Sequence, residues 1–196
     1  MSLSITKLSV GPMDNNAYLL RCTTTGEGIL VDAANEPPRL LSLIGPDGIS
    51  SVVTTHRHAD HWQALTEVVS ATGAASLAHP ADAPEIPVVT DTLTEGDTLH
   101  LGELTLSVIH LVGHTPGSIA LYYAGEGGHL FTGDSLFPGG PGRTTNPKDF
   151  NSLMDDLEEK VFGRLPDGTV IYPGHGKDST LGTERPSIPE WRARGW

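Results

Sequence analysis

His56-Arg57-His58-Ala59-Asp60-His61 sets three imidazoles and one carboxylate in a stretch too short for anything but a compact turn or loop. It follows Ser51-Val52-Val53-Thr54-Thr55, which reads as a short buried strand. Imidazole together with carboxylate suits Zn, Fe, Mn and similar ions, so the stretch points to a transition-metal site. Side chains at i and i+2 of an extended chain point to the same side, so His56 and His58 can share one ion. Asp60 and His61 lie beyond that pair and are better placed for a second ion. The helical metal motif His-Glu-x-x-His is absent from the sequence.

Working outward, 196 residues suffice for one domain, 1–196, with a sizeable core. The 23 Gly and 15 Pro suit many short strands joined by turns. A formal charge of −12 disfavours contact with phosphate backbones, so nucleic acid is not expected as a partner. The N-terminal residues show no basic segment followed by a long apolar run, and no stretch approaches the length of a membrane span. A reducing, cytoplasmic setting is therefore the default expectation. The single Cys22 has no internal partner and reads as a small buried hydrophobe. Oligomeric state leaves no mark in the sequence.

Strand-length apolar runs are expected at 4–10, 16–22, 28–32 and 51–55. The second half repeats the style at 97–101, 104–111, 118–124, 129–133 and 169–172. Helical spacing appears at 37–43 and 62–72, and most clearly at 150–162, where Phe150, Leu153, Leu157 and Val161 form one stripe. The stretch from Gly174 onward reads as irregular. Strands followed by helix in each half predict an α/β fold of two sheets packed face to face with helices outside.

Polar residues recur where strands end, each behind a glycine: His114 in Gly113-His114-Thr115-Pro116-Gly117, Asp134 in Gly133-Asp134-Ser135, and His175 in Pro173-Gly174-His175-Gly176. Loops on one rim of a sheet are where sites are usually built. With the hexad these make five imidazoles and two carboxylates, too many for one tetrahedral ion but suited to two ions that share a carboxylate.

These motifs resemble the metallo-β-lactamase fold, and within it the glyoxalase II-like hydrolases: Thr-His-x-His-x-Asp-His at 55–61, Gly-His-Thr-x-Gly at 113–117, Gly-Asp-Ser at 133–135 and Pro-Gly-His-Gly at 173–176. The resemblance runs from the first strands to Gly176 and implies an αββα four-layer sandwich of two mixed sheets. It further implies one metal on His56, His58 and His114, a second on Asp60, His61 and His175, and Asp134 bridging both. Zn is the first expectation, with Fe or Mn as alternatives. Asp32 matches the family's early Asp and is expected to support the His loop without ligating. Ser135 is expected to be structural.

The implied activity is hydrolysis of a small-molecule substrate, a thioester of a small thiol, with Asp134 holding both metals and Asp60 orienting the nucleophile. Glyoxalase II enzymes also use a C-terminal helical domain, which residues 176–196 are too few to form. Arg143, in Gly140-Pro141-Gly142-Arg143-Thr144, is expected to meet a substrate carboxylate, with Lys177 and Arg185 as weaker candidates. The closest rival is a mononuclear iron persulfide dioxygenase of the same fold. Those enzymes share Gly-Arg-Thr but continue with Asp, where this chain has Thr145, and they depart from Pro-Gly-His-Gly. A lactonase of the same fold is a further alternative, and a non-catalytic metal-binding module is the reading from a different class.

Overall fold

Alternation with a period of two decides the layers. The computed structural model describes residues 2–195. Its first sheet runs β1 (Leu3–Val10), β2 (Asn15–Cys22), β3 (Gly28–Val31), β4 (Ser51–Val53), β5 (Ala75–Ala78) and β6 (Asp91–Thr92), in that order. Pairing is antiparallel as far as β3 and parallel from β3 to β6. The second sheet is built from β7 (Thr98–Leu101), β8 (Leu104–His110), β9 (Ile119–Tyr123), β10 (His129–Gly133), β13 (Val170–Pro173) and β14 (Ser179–Thr180). There β10 and β13 are parallel and the other pairs antiparallel. A small ribbon, β11 (Leu136–Phe137) with β12 (Gly140–Pro141), follows β10.

Tyr18 and Leu20 of β2, Ile29 and Val31 of β3, Ile119 and Leu121 of β9, and Phe131 of β10 point between the sheets and form the central core. Their neighbours point outward. Ala17, Leu19, Leu30 and Val52 pack under helices α1 (Pro37–Ile44) and α2 (Leu65–Thr72). Ala120, Leu130 and Ile171 pack under α3 (Pro147–Asp156) and the chain that follows it. Three apolar layers between four layers of structure make the αββα sandwich of two mixed sheets expected from the motifs. Each fully buried Leu or Ile contributes roughly 1.5–3 kcal/mol relative to an exposed one.

Three departures from the sequence reading are the largest, besides the unexpected short strands β6, β11 and β12 and a helix α2 that starts at Leu65. The helix expected at 150–162 starts at Pro147 and widens from Leu157 to Phe162 into a π-helical turn, while Phe150, Leu153, Leu157 and Val161 stay buried along its length. Strand β5 was not expected, because Ala-Ser-Leu-Ala lacks the β-branched and aromatic residues that mark strands. The stretch after Gly174 is not irregular: it forms β14, α4 (Leu181–Glu184) and α5 (Ile188–Arg194). Pro186 and Pro189 break that segment into pieces too short to show a helical period. Among the described residues no helix is long and apolar enough to cross a membrane.

One rim of the sandwich collects the polar strand ends. Asp32 follows β3, the His loop follows β4, Asp134 follows β10, and His175 follows β13. Backbone bonds stitch the two sheets together there: Ile119 N donates to Thr55 O at 2.9 Å, and Asn16 N to Gly174 O at 2.7 Å. Glycine is needed at two points on this rim. A Cβ on Gly133 (φ 49°) would stand 2.6 Å from the Thr55 hydroxyl, and one on Gly174 would stand 2.2 Å from Asp134 Oδ1.

Trp191 of α5 is 1% exposed and packs in the outer core with Leu181 and Phe162. Trp191→Ala should therefore destabilise the protein by about 3–5 kcal/mol, read as a lowered urea midpoint. A change below about 1 kcal/mol would show that α5 is not part of the core.

Candidate metal centre

The hexad leaves β4 through Thr54 and Thr55, and Ala59–His61 forms a single 3₁₀ turn. That turn separates the pair His56 and His58 from the pair Asp60 and His61. Three sets of side-chain atoms converge within 4.8 Å of one another: His56, His58 and His114; His56, His61 and Asp134; and Asp60, His61 and His175. All seven residues expected from the sequence thus lie in one cluster.

The spacings are informative. His56 Nε2 and His114 Nε2 are 3.3 Å apart, and His58 Nδ1 is 2.9 Å from His114 Nε2. In the neighbouring set His61 Nε2 and His175 Nε2 are 3.3 Å apart, with Asp60 Oδ2 at 3.5 Å from the first and 3.3 Å from the second. Two ligands each about 2.1 Å from a tetrahedral ion stand about 3.4 Å apart, so these separations fit a shared cation. Asp134 reaches both sets: Oδ1 lies 3.4 Å from His61 Nε2, while Oδ2 lies 3.4 Å from His175 Nε2 and 3.7 Å from His114 Nε2. Asp134 Oδ1 is buried with no hydrogen-bond partner, a costly state that a cation would relieve.

The outer ring nitrogens fix which lone pairs face inward. His114 Nδ1 lies 2.7 Å from Arg143 O, and His175 Nδ1 2.9 Å from Met13 O. A carbonyl only accepts, so both Nδ1–H groups donate and both Nε2 lone pairs face the centre. His61 Nδ1 lies 2.8 Å from Asp32 Oδ2, which also accepts the Thr55 hydroxyl at 2.9 Å. Because that hydroxyl spends its hydrogen on Asp32, it accepts from His56 Nδ1–H at 3.0 Å. Asp32 therefore orients His61 directly and His56 through Thr55. Such outer partners fix ring orientation and raise ligand basicity.

Sequence reasoning missed several supports. Asn15 Nδ2 donates to Asp60 Oδ2 at 2.8 Å. Asp82, fully buried, accepts from Arg57 N at 2.9 Å, Gly117 N at 2.8 Å and the Thr115 hydroxyl at 2.6 Å, tying the His56–His58 loop to the His114 loop. Neither residue stands in a recognisable motif, and the carbonyls of Met13 and Arg143 carry no side-chain signal at all. The Arg143 side chain is exposed on the wall of a cavity of about 360 Å³, with Phe150 and Arg194. Arg185 pairs with Asp167 at 2.6 Å and packs over the Phe162 ring. Lys177 is exposed two residues past His175.

Electrostatics divide the imidazoles. Burial, reinforced by His61, holds His56 well below its ordinary pKa, in the neutral form that ligation requires. Burial lowers His114 as well. Burial also works against charge on His61, but the Asp32 and Asp134 carboxylates outweigh it and raise the pKa to about 10. Without metal, the Asp134 carboxylate beside Nε2 favours the protonated ring and raises His175. Burial disfavours the Asp134 carboxylate, yet His175 and His61 prevail and keep it ionised far below the usual range.

The raised His61 pKa has a sign. In chelator-stripped protein its contribution to stability is complete below about pH 6.5 and is lost as the pH climbs toward about 10. Urea denaturation across that window should show the decline, and Asp32→Asn should flatten it. An equal decline in the variant would show that the Asp32–His61 pair is not its source.

Comparison with known proteins follows the same lines. A model of the metallo-beta-lactamase superfamily matches residues 10–175. A hydroxyacylglutathione hydrolase of Polaromonas sp. is 35% identical over 163 residues, covering 82% of this chain and 62% of that protein. The chain thus spans less than two thirds of the length of the hydroxyacylglutathione hydrolases it matches. Among solved structures, TTHA1623 in a di-iron-bound form superposes with a TM-score of 0.81 at 30% identity, over 95% of this chain and all of that one. ETHE1 from Myxococcus xanthus gives 0.82 at 26% identity, over 95% of this chain and 83% of its own.

Proposed function

The chain belongs to the metallo-β-lactamase superfamily, and from that premise we propose that it is a dinuclear metal-dependent hydrolase cleaving thioesters of a small thiol. The observation that carries this reading is the Asp134 carboxylate, with its oxygens directed at two adjoining sets of ligand atoms. His56, His58 and His114 would hold one divalent ion and Asp60, His61 and His175 the other, with Asp134 between them. Zn fits this donor set, and so does the iron seen in TTHA1623.

Bound divalent ions supply Lewis acidity, bringing the pKa of a water to about 7 and drawing charge from a scissile carbonyl. The residues of the chain prepare the rest. Asp134 stays ionised and holds the two sets together. Asn15 engages Asp60 Oδ2, which leaves the other carboxylate oxygen to accept a hydrogen bond from the attacking water and aim it. Water adds to the carbonyl carbon, the C–S bond breaks, and the products are a carboxylic acid and a thiol. A thiolate leaves with little protonation, so no separate general acid is required. Arg143 is the proposed contact for a substrate carboxylate, through its exposed guanidinium.

The name of the hydroxyacylglutathione hydrolase relatives supports a thioester of a cellular thiol as the substrate class. A reducing cytoplasm, the proposed setting, suits a free-thiol product.

Metal quantification joined to a thioester and lactone panel tests the reading. The expected result is two ions per chain and thioester turnover, with Asp134→Ala losing both metals and at least about a hundredfold in rate. Full turnover by that variant would sink the dinuclear reading, as would one iron per chain with oxygen consumption on a persulfide.

A further inference from the structure

A groove of about 330 Å³ opens beside the first ligand set, and His58 and His114 form part of its wall. Its other walls are Arg57, the Gly113–Pro116 turn, and Lys148, Asp149 and Ser152 of α3. Any molecule held at the metal centre has this space next to it. The groove therefore bears on which substrates fit.

Its charges are unequally satisfied. The Arg57 guanidinium pairs with Glu85 and stands 4.0 Å from the buried Asp82. The Asp149 carboxylate accepts from Asn146 Nδ2 at 2.7 Å and from the Thr145 hydroxyl at 3.1 Å. Lys148 is exposed and makes no ion pair or hydrogen bond with another described residue. Lys148 is thus a cation without an ion-pair partner among the described residues, next to an Asp149 carboxylate that is turned onto the neutral donors Asn146 and Thr145. An anion entering it meets Lys148 without having to break an existing pair.

We propose that this groove is a substrate subsite for a carboxylate carried beyond the scissile thioester, with Lys148 as its charged contact. The inference rests on the hydrolase reading for its placement next to the reacting bond. It assigns recognition to Lys148, a residue separate from Arg143 and from the metal ligands. The carboxylate can be on the thiol half or on the acyl half, and matched substrate pairs distinguish the two.

Metal-loaded protein is given the S-acetyl thioesters of 3-mercaptopropionate and of its neutral amide, 3-mercaptopropionamide. A second pair places the charge on the acyl side, as succinyl and succinamoyl thioesters of 2-mercaptoethanol. In one pair the acid should be preferred over the amide by about fivefold in kcat/KM, the scale of a solvent-exposed ion pair. Lys148→Ala should abolish that preference by raising KM for the acid alone, and Lys148→Arg should restore most of it. A preference that survives in Lys148→Ala, or an equal loss for acid and amide, overturns the subsite. Calorimetric binding of 3-mercaptopropionate, 3-mercaptopropionamide, succinate and succinamide to the metal-loaded protein reads the subsite without turnover. If no thioester is cleaved, the hydrolase reading fails. The subsite then stands only if wild type binds one acid more tightly than its amide and Lys148→Ala does not.

Discussion

The Asp32 carboxylate is the constraint on which the rim depends. It is 1% exposed and sits at the end of β3 with a left-handed backbone, φ 58°, that a non-glycine residue adopts only at a cost. It accepts from Thr55 N at 2.8 Å, from the Thr55 hydroxyl at 2.9 Å and from His61 Nδ1–H at 2.8 Å. A buried carboxylate so satisfied is tolerable, whereas one that has lost its partners is strongly destabilising. These bonds fix the path of the chain out of β4, the ring of His61 and, through Thr55, the ring of His56. Gly133 is then required opposite, because any Cβ there would meet the Thr55 side chain.

Asp82 does for the two sheets what Asp32 does for the His loop. Its three bonds join the loop after β4, which belongs to the first sheet, to the turn between β8 and β9 of the second. His56 and His58 therefore keep a fixed distance from His114, although they come from different sheets. At the other end of the cluster, Tyr18 OH donates to Pro173 O at 2.6 Å and Asn16 Nδ2 to the same carbonyl at 2.9 Å, so His175 is fixed by the strand that carries Asn15. The centre is preorganised by bonds that lie outside it.

Much of this was legible in the sequence, and the limits have physical causes. The hexad was readable because consecutive ligands need only local geometry. His114, Asp134 and His175 were readable because each stands behind a glycine at the end of an apolar run. Two facing sheets followed from the run of strands and then helix in each half, and the four-layer αββα form from the resemblance of the motifs; in the structure Tyr18 and Leu20 face one core and Leu19 the other. Asn15 and Asp82 were not readable, since their roles depend on contacts across 45 and 35 positions of chain and neither residue type is unusual where it stands. The helix carrying Trp191 was hidden by Pro186 and Pro189. Arg185, a weaker candidate for a substrate contact, shows the opposite limit: its pairing with Asp167 and with neighbouring carbonyls leaves no mark in the sequence.

The proposed centre holds two ions with Asp134 between them, and the outer nitrogens of His56, His61, His114 and His175 are already committed. Anomalous diffraction from crystals of the metal-loaded protein, recorded at the absorption edge of the bound metal, tests it most directly. Two peaks are expected, one among His56, His58 and His114 and the other among Asp60, His61 and His175, with the Asp134 carboxylate contacting both. A single peak at full occupancy, or a second peak that Asp134 does not touch, would contradict it.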